Sequence, residues 1–184
     1  MGLRNQSVQG FVWSVVEKFG NRIFTFLIFF TLATLLSPKI FGVVAIVNSV
    51  LAFVVIFVDQ GFTTAVVQKD DPTQEYLDTA FWGNMAISVV LTLILYVCAP
   101  LLAKLYEEPE LTLYIRVISA SFIIGAISRV QNALFIKEMK FRLLAIRRLI
   151  ATLIGGLTGI YLAVMDFGVW SLICYQMASM LTMT

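Results

Sequence analysis

Histidine is absent from the 184 residues, and only 13% of them are charged. The first absence removes the commonest general base, metal ligand and neutral-pH switch. The second removes the surface of a water-soluble domain, where roughly a quarter of residues carry charge. Cysteine is scarce as well. Cys98 and Cys174 each sit inside an apolar run, far apart in sequence, which supports neither a metal site nor a disulfide framework. Both read as buried apolar thiols. The formal net charge of +2 says nothing of nucleic acid. No catalytic residue, metal or cofactor is expected, because the loops between apolar runs hold about a dozen residues or fewer, too little for a solvent-exposed catalytic site.

What is present is apolar: 60% of the chain is hydrophobic, so lipid must be the solvent for much of it. A spanning helix needs about 20 residues, since about 30 Å of hydrocarbon is crossed at 1.5 Å per residue. Runs with little charge place six spans, at 11–36, 40–67, 79–103, 117–136, 149–165 and 167–184. Pro100 should kink or end the third. Ser37-Pro38, Asp70-Asp71-Pro72-Thr73, Glu107-Glu108-Pro109-Glu110 and Asp166-Phe167-Gly168 punctuate the connections. Strand-like alternation is missing, and open sheet edges do not survive in lipid. The expected fold is all-α, a polytopic transmembrane helix bundle of about six spans.

Lysine and arginine in the loops set the orientation. With the N-terminus inside, Arg4, Lys69, Lys137, Lys140, Arg142, Arg147 and Arg148 fall on the inner side, against Lys39, Lys104 and Arg116 on the outer. The N-terminus is expected to be cytoplasmic. Residues 1–9 are polar, and the next apolar stretch carries Glu17, Lys18 and Arg22 without a small-residue cleavage site, so the first helix should stay in the membrane. The last span reaches Thr184 with no polar tail, which leads us to expect a fragment of a longer protein.

Depth separates informative charges from ordinary ones. Arg22 lies 14 residues inward of Leu36, about 21 Å down and roughly 9 Å short of the inner boundary. Arg129 lies seven residues from Ile136, roughly 10 Å deep from the same side. A lone arginine there costs at least about 2.5 kcal/mol on insertion scales, somewhat less away from the midplane, and a wet inward-open cavity would remove most of that. In such a cavity both guanidinium groups would receive an anionic group, since the planar fork matches phosphate oxygens. The plain alternative is pairing with Glu17, Asp59 or backbone carbonyls to hold helices together. Ser14, Glu17 or Lys18, Asn21 and Thr25 share one face of the first helix. Asn48, Ala52, Val55 and Asp59 share another, as do Ser121, Gly125, Ser128 and Asn132. Asn21 and Asn132 thus join the arginines as candidate substrate contacts. Small, polar stripes of this kind suit close helix packing as well as a wet cavity, and Gly155 with Gly159 reads as packing.

Five blocks, in order, resemble a known family. They are Leu36-Ser-Pro-Lys-Ile-Phe-Gly-Val-Val-Ala-Ile-Val47, Val58-Asp-Gln-Gly-Phe-Thr-Thr-Ala-Val-Val-Gln-Lys69 with Thr79-Ala-Phe-Trp82, Ala99-Pro-Leu-Leu-Ala-Lys-Leu-Tyr106, Glu108-Pro-Glu-Leu111, and Ser128-Arg-Val-Gln-Asn-Ala-Leu-Phe135 with Met139-Lys-Phe141. The family is that of polysaccharide-biosynthesis flippases, the O-antigen (lipopolysaccharide), capsule and exopolysaccharide exporters of the multidrug/oligosaccharidyl-lipid/polysaccharide superfamily. The resemblance implies a two-lobed bundle of twelve or more helices around a central cavity, of which this chain matches the N-terminal lobe. It also implies a multi-pass protein of the bacterial plasma (inner) membrane that turns undecaprenyl-diphosphate-linked oligosaccharide from the inner to the outer leaflet. Membrane lipid, a second lobe and polysaccharide assembly proteins are the implied partners. The family supplies no settled catalytic residues to carry over. An exporter of cationic drugs is the rival within the superfamily, though a cation site would favour acids in mid-membrane. A non-transporting remnant or interaction partner is the other alternative.

Overall fold

A chain surrounded by hydrocarbon must satisfy its own backbone, and the helix does so within a single segment. The computed structural model describes the backbone of residues 3–58 and 73–184 and the side chains of 18–56 and 73–184. Among the described residues there are six helices and no strand: α1 Leu3–Leu35, α2 Pro38–Val58, α3 Gln74–Leu105, α4 Leu111–Lys137, α5 Phe141–Val164 and α6 Val169–Met183. By length and composition, α1 to α5 can each cross a membrane, whereas α6 has 15 residues, about 22 Å of helix. The chain is a multi-pass helical membrane protein. Its exterior agrees: Phe26, Trp82, Val97 and Leu157 are all at least 65% exposed, an arrangement suited to lipid and not to water.

Several helices outrun the charge-free runs, because their ends carry the charges that a helix end favours. In α3, Thr73 caps the start by accepting from the Tyr76 amide at 3.4 Å, Glu75 lies in the first turn and Lys104 in the last. Each charge complements the helix dipole. The helices α3, α4 and α5 close in the same way. Glu107, Met139 and Asp166 take positive φ of 56°, 54° and 59°. The following amides of Glu108, Lys140 and Phe167 then donate to the carbonyls of Ala103, Phe135 and Leu162 at 3.1, 2.9 and 3.1 Å. These are Schellman closures built without glycine, and they absorb carbonyls that would otherwise be orphaned.

Pro100 does not end α3, which runs on to Leu105. Proline has no amide hydrogen, so the carbonyl four residues back, Tyr96, loses its helical donor. Arg116 of α4 supplies one. Its Nε donates to the Tyr96 carbonyl at 3.3 Å, and its guanidinium lies 4.4 Å from the centre of the Tyr96 ring. An arginine near the start of α4 thereby repairs the break that a proline makes in α3.

Packing arranges the helices in two groups. The α3–α4 hairpin forms one. In the other, α5 lies between α1 and α6. Helices α2 and α6 join them through a core that includes Val47, Leu95, Ala99, Ile115, Ile118, Phe122 and Ile173. Close approach comes from α5's glycines. A Cβ on Gly155 would collide with the Ser179 side chain and lie 2.7 Å from the Tyr175 carbonyl, and one on Gly159 would lie 2.9 Å from the Tyr175 Cβ. Gly156 faces the other way, against Ile28 of α1. The glycine pair is thus a packing seam, as small residues spaced by four usually are in membranes. Lys39 at the start of α2 pairs with Glu108 in the α3–α4 turn at 3.3 Å, so the two turns lie at the same end of the bundle.

Two outcomes follow for stability in detergent. Arg116→Leu should destabilise by about 1–3 kcal/mol, the cost of leaving a carbonyl unpaired where hydrocarbon, not water, faces it. In a Pro100→Ala background the same change should cost markedly less, because the α3 amide then serves Tyr96; equal costs in both backgrounds, by thermal unfolding, would refute the repair. Gly155→Leu should destabilise by about 1–3 kcal/mol through overpacking of the seam.

Candidate functional site

Helix periodicity puts Lys18 and Arg22, four residues apart, on one side of α1, with Asn21 beside them. The α5 packing seam brings a third cation to the same place. Together Lys18, Phe19, Asn21, Arg22 and Arg148 line a cavity of about 470 Å³. The depths agree: Arg22 lies 13 residues from Leu35 and Arg148 lies 16 from Val164, about 20 and 24 Å from the opposite end. Asn21 fixes the joint between the two helices, its Oδ1 accepting from the Thr152 hydroxyl at 2.5 Å. Lys18 and Arg22 form no hydrogen bond or ion pair with another described residue. The described wall of the cavity is therefore cationic, with two positive groups lacking a counter-charge among the described residues. Chemically, such a cavity suits a phosphate or another oxyanion.

Arg129 and Asn132 lie elsewhere. Arg129 is half-buried and donates from Nη1 to Asn84 Oδ1 on α3 at 3.4 Å. Asn84 is 1% exposed and donates in turn to the Ala126 carbonyl at 3.3 Å. Asn132 accepts from Arg147 Nη1 at 3.4 Å. Arg147 also donates from Nη2 to the carbonyl of Met183 and stands over the Phe135 ring, 5.6 Å from its centre. These contacts tie α3, α4, α5 and α6 to one another. The structure thus brings Arg22 and Asn21 together on the α1–α5 cavity and sets Arg129 and Asn132 among interhelical hydrogen bonds outside it. Glu17 and Asp59, named as charge partners, lie outside the residues whose side chains are described.

The polar stripes divide in the same manner. On α4, Gly125 packs on Met180 and Ser128 hydrogen-bonds the Gly125 carbonyl at 3.3 Å, so that stripe is largely packing. On α2, Asn48 accepts from Gln176 of α6 at 3.0 Å. Sequence reasoning missed Arg148, Thr152, Asn84 and the hub at Arg147. Arg147 and Arg148 stood out only as topological charges. Their neighbours offered a signal nonetheless: Arg148 and Thr152 are four residues apart and so share a face of α5.

A family model described as "Polysaccharide biosynthesis protein" matches residues 31–184. The succinoglycan biosynthesis transport protein ExoT of Rhizobium meliloti is 32% identical over 169 residues, 92% of this chain and 34% of its own length. The teichuronic acid biosynthesis protein TuaB of Bacillus subtilis is 33% identical over 93 residues, 50% of this chain and 19% of its own. The lipopolysaccharide biosynthesis protein WzxC of Escherichia coli is 21% identical over 155 residues, 84% and 32%. The chain spans about a third or less of the length of these curated relatives. No solved structure matches it.

A wet cationic cavity has a direct signature. With Cys98 and Cys174 replaced by alanine, Arg22→Cys should react with a small polar thiol reagent about tenfold faster or more than Asn84→Cys, because a thiol in apolar surroundings stays protonated and unreactive. Equal, slow reaction at both positions would show that the cavity is dry.

Proposed function

The chain belongs to the polysaccharide biosynthesis protein family, and from that premise we propose that it is the N-terminal lobe of a transporter that carries lipid-linked oligosaccharide across the bacterial plasma membrane. The observation that carries this reading is the α1–α5 cavity, where Lys18, Arg22 and Arg148 converge, by helix length within roughly 10 Å of one membrane face. An anion such as the diphosphate of an undecaprenyl-linked sugar offsets cations that would otherwise be expensive at that depth. Arginine suits the task better than lysine because its fork grips two oxygens at once.

In this reading the N-terminus is cytoplasmic and the cavity opens to the inner leaflet, where the cargo is made. Arg129, reached through Asn84 and the α3–α4 hairpin, holds the helices beside the path and meets the cargo only if the lobe moves. A path through the membrane needs a second bundle moving against this one. The relatives, about three times as long as the region matched here, have chain enough to supply one. The same electrostatics disfavour an exporter of cationic drugs, since three positive groups on one wall repel such a cargo.

Transport of a fluorescent lipid-linked oligosaccharide into the outer leaflet of proteoliposomes, by the protein at its natural full length, tests the reading. Arg22→Gln should lower the rate about tenfold or more, the worth of one charge-assisted hydrogen bond, with partial recovery in Arg22→Lys. Unchanged transport in Arg22→Gln, or equal transport of a cationic dye, would overturn it.

A further inference from the structure

The α2 stripe takes no part in the cationic cavity, and the bundle does not bury it. Asn48, Ala52 and Val55 share one face of α2 and are all exposed, whereas a stripe that packed helices together would be covered. Asn48 lies 10 residues from Pro38, about 15 Å along the helix and so near the middle of a core about 30 Å thick. Its Oδ1 accepts from Gln176 Nε2 of α6 at 3.0 Å, and neither side chain bonds any other described residue. Asn48 Nδ2 and Gln176 Oε1 are left side by side, one donor group and one acceptor. The residue before Gln176, Tyr175, reaches α1 instead and shares a hydrogen bond with Thr25. Thr25, 10 residues from Leu35, stands at the same depth as Asn48. It also lines a hollow of about 710 Å³ together with Asn21 and Arg22, which adjoins the cationic cavity through those two residues. A neutral polar belt thus crosses α1, α6 and α2 at mid-membrane.

An amide turned toward acyl chains leaves polar atoms unpaired, which hydrocarbon penalises heavily. We propose that Asn48 and Gln176 form a specificity element that reads two neighbouring hydroxyls of a sugar ring. One hydroxyl oxygen accepts from Asn48 Nδ2 while the next hydroxyl donates to Gln176 Oε1, so both free amide groups are used. An ion finds no charge in the belt to hold it, and an acyl chain has nothing to offer the donor or the acceptor. The proposal rests on the transport reading for its ligand and supplies what that reading lacks. Phosphate is common to every sugar-bearing lipid diphosphate, so a cationic wall does not tell one sugar from another. Discrimination needs a site that hydrogen-bonds hydroxyls and is left with unpaired polar atoms when they are missing.

The test compares affinities for a sugar-free long-chain prenyl diphosphate and for the same lipid carrying cellobiose, lactose or chitobiose. The protein is used at its natural full length, in nanodiscs. The best of the three sugars should raise affinity about fivefold or more over the bare lipid, on the order of one hydrogen bond. In Asn48→Leu and in Gln176→Leu that advantage should fall to about twofold or less. Being a ratio of two affinities of one variant, it does not register a general loss of folded protein. An advantage unchanged in both variants would make the pair a plain tie between α2 and α6 and overturn the proposal. So would three sugars bound no better than the bare lipid. Selectivity that depends on the pair, without transport, would leave the site standing and remove the transport reading; transport without such selectivity would do the reverse.

Discussion

A backbone carbonyl in hydrocarbon has no water to turn to, and that constraint shapes this protein at every level. It excludes strands with open edges and leaves helices, whose internal bonds fail only at their ends and at proline. The ends are managed by three Schellman turns that use glutamate, methionine and aspartate in the left-handed region, each accepting some strain to recover carbonyls. The interior failure is managed by Arg116, which crosses from α4 to serve the Tyr96 carbonyl that Pro100 abandons. A charge that counts in the sequence only toward topology is here a piece of backbone repair.

Once the backbone is satisfied, association depends on close contact, because lipid tails are as apolar as the side chains they would replace. Gly155 and Gly159 let α6 approach α5, and Gly156 admits Ile28 of α1 on the opposite side. This makes α5 the centre of its group. The closeness has a cost: Ser171 and Ser179, facing those glycines, have buried hydroxyls without a partner among the described residues. The seam also decides the electrostatics. Arg147 and Arg148 are neighbours in sequence, yet Arg147 turns to Asn132 and the end of α6, while Arg148 turns to the cavity beside α1. One helix thus holds its own group together with one arginine and completes a cationic wall with the next.

Much of the fold could be read in advance, since apolar runs of about 20 residues bounded by Pro, Gly and acidic turns have a single physical outcome. Arg22, singled out by its depth along the helix, and Asn21, singled out by its helix face, line one cavity. Arg129 and Asn132 met the same criteria and lie among interhelical hydrogen bonds, with Asn84 and Arg147. Depth says that a charge must be sheltered. It does not say by what. The distinction between a ligand and an asparagine on the next helix is a distance in space, not a spacing in sequence.

Composition and periodicity alone therefore determined the apolar solvent, the helical class and the approximate placing of the helices, because these depend on one helix at a time. Only the tertiary structure decided which helices touch, which of two adjacent arginines faces the cavity, and that Lys18, Arg22 and Arg148 converge. Those facts depend on the rotation of each helix about its axis, which is set by where glycine allows another backbone to approach.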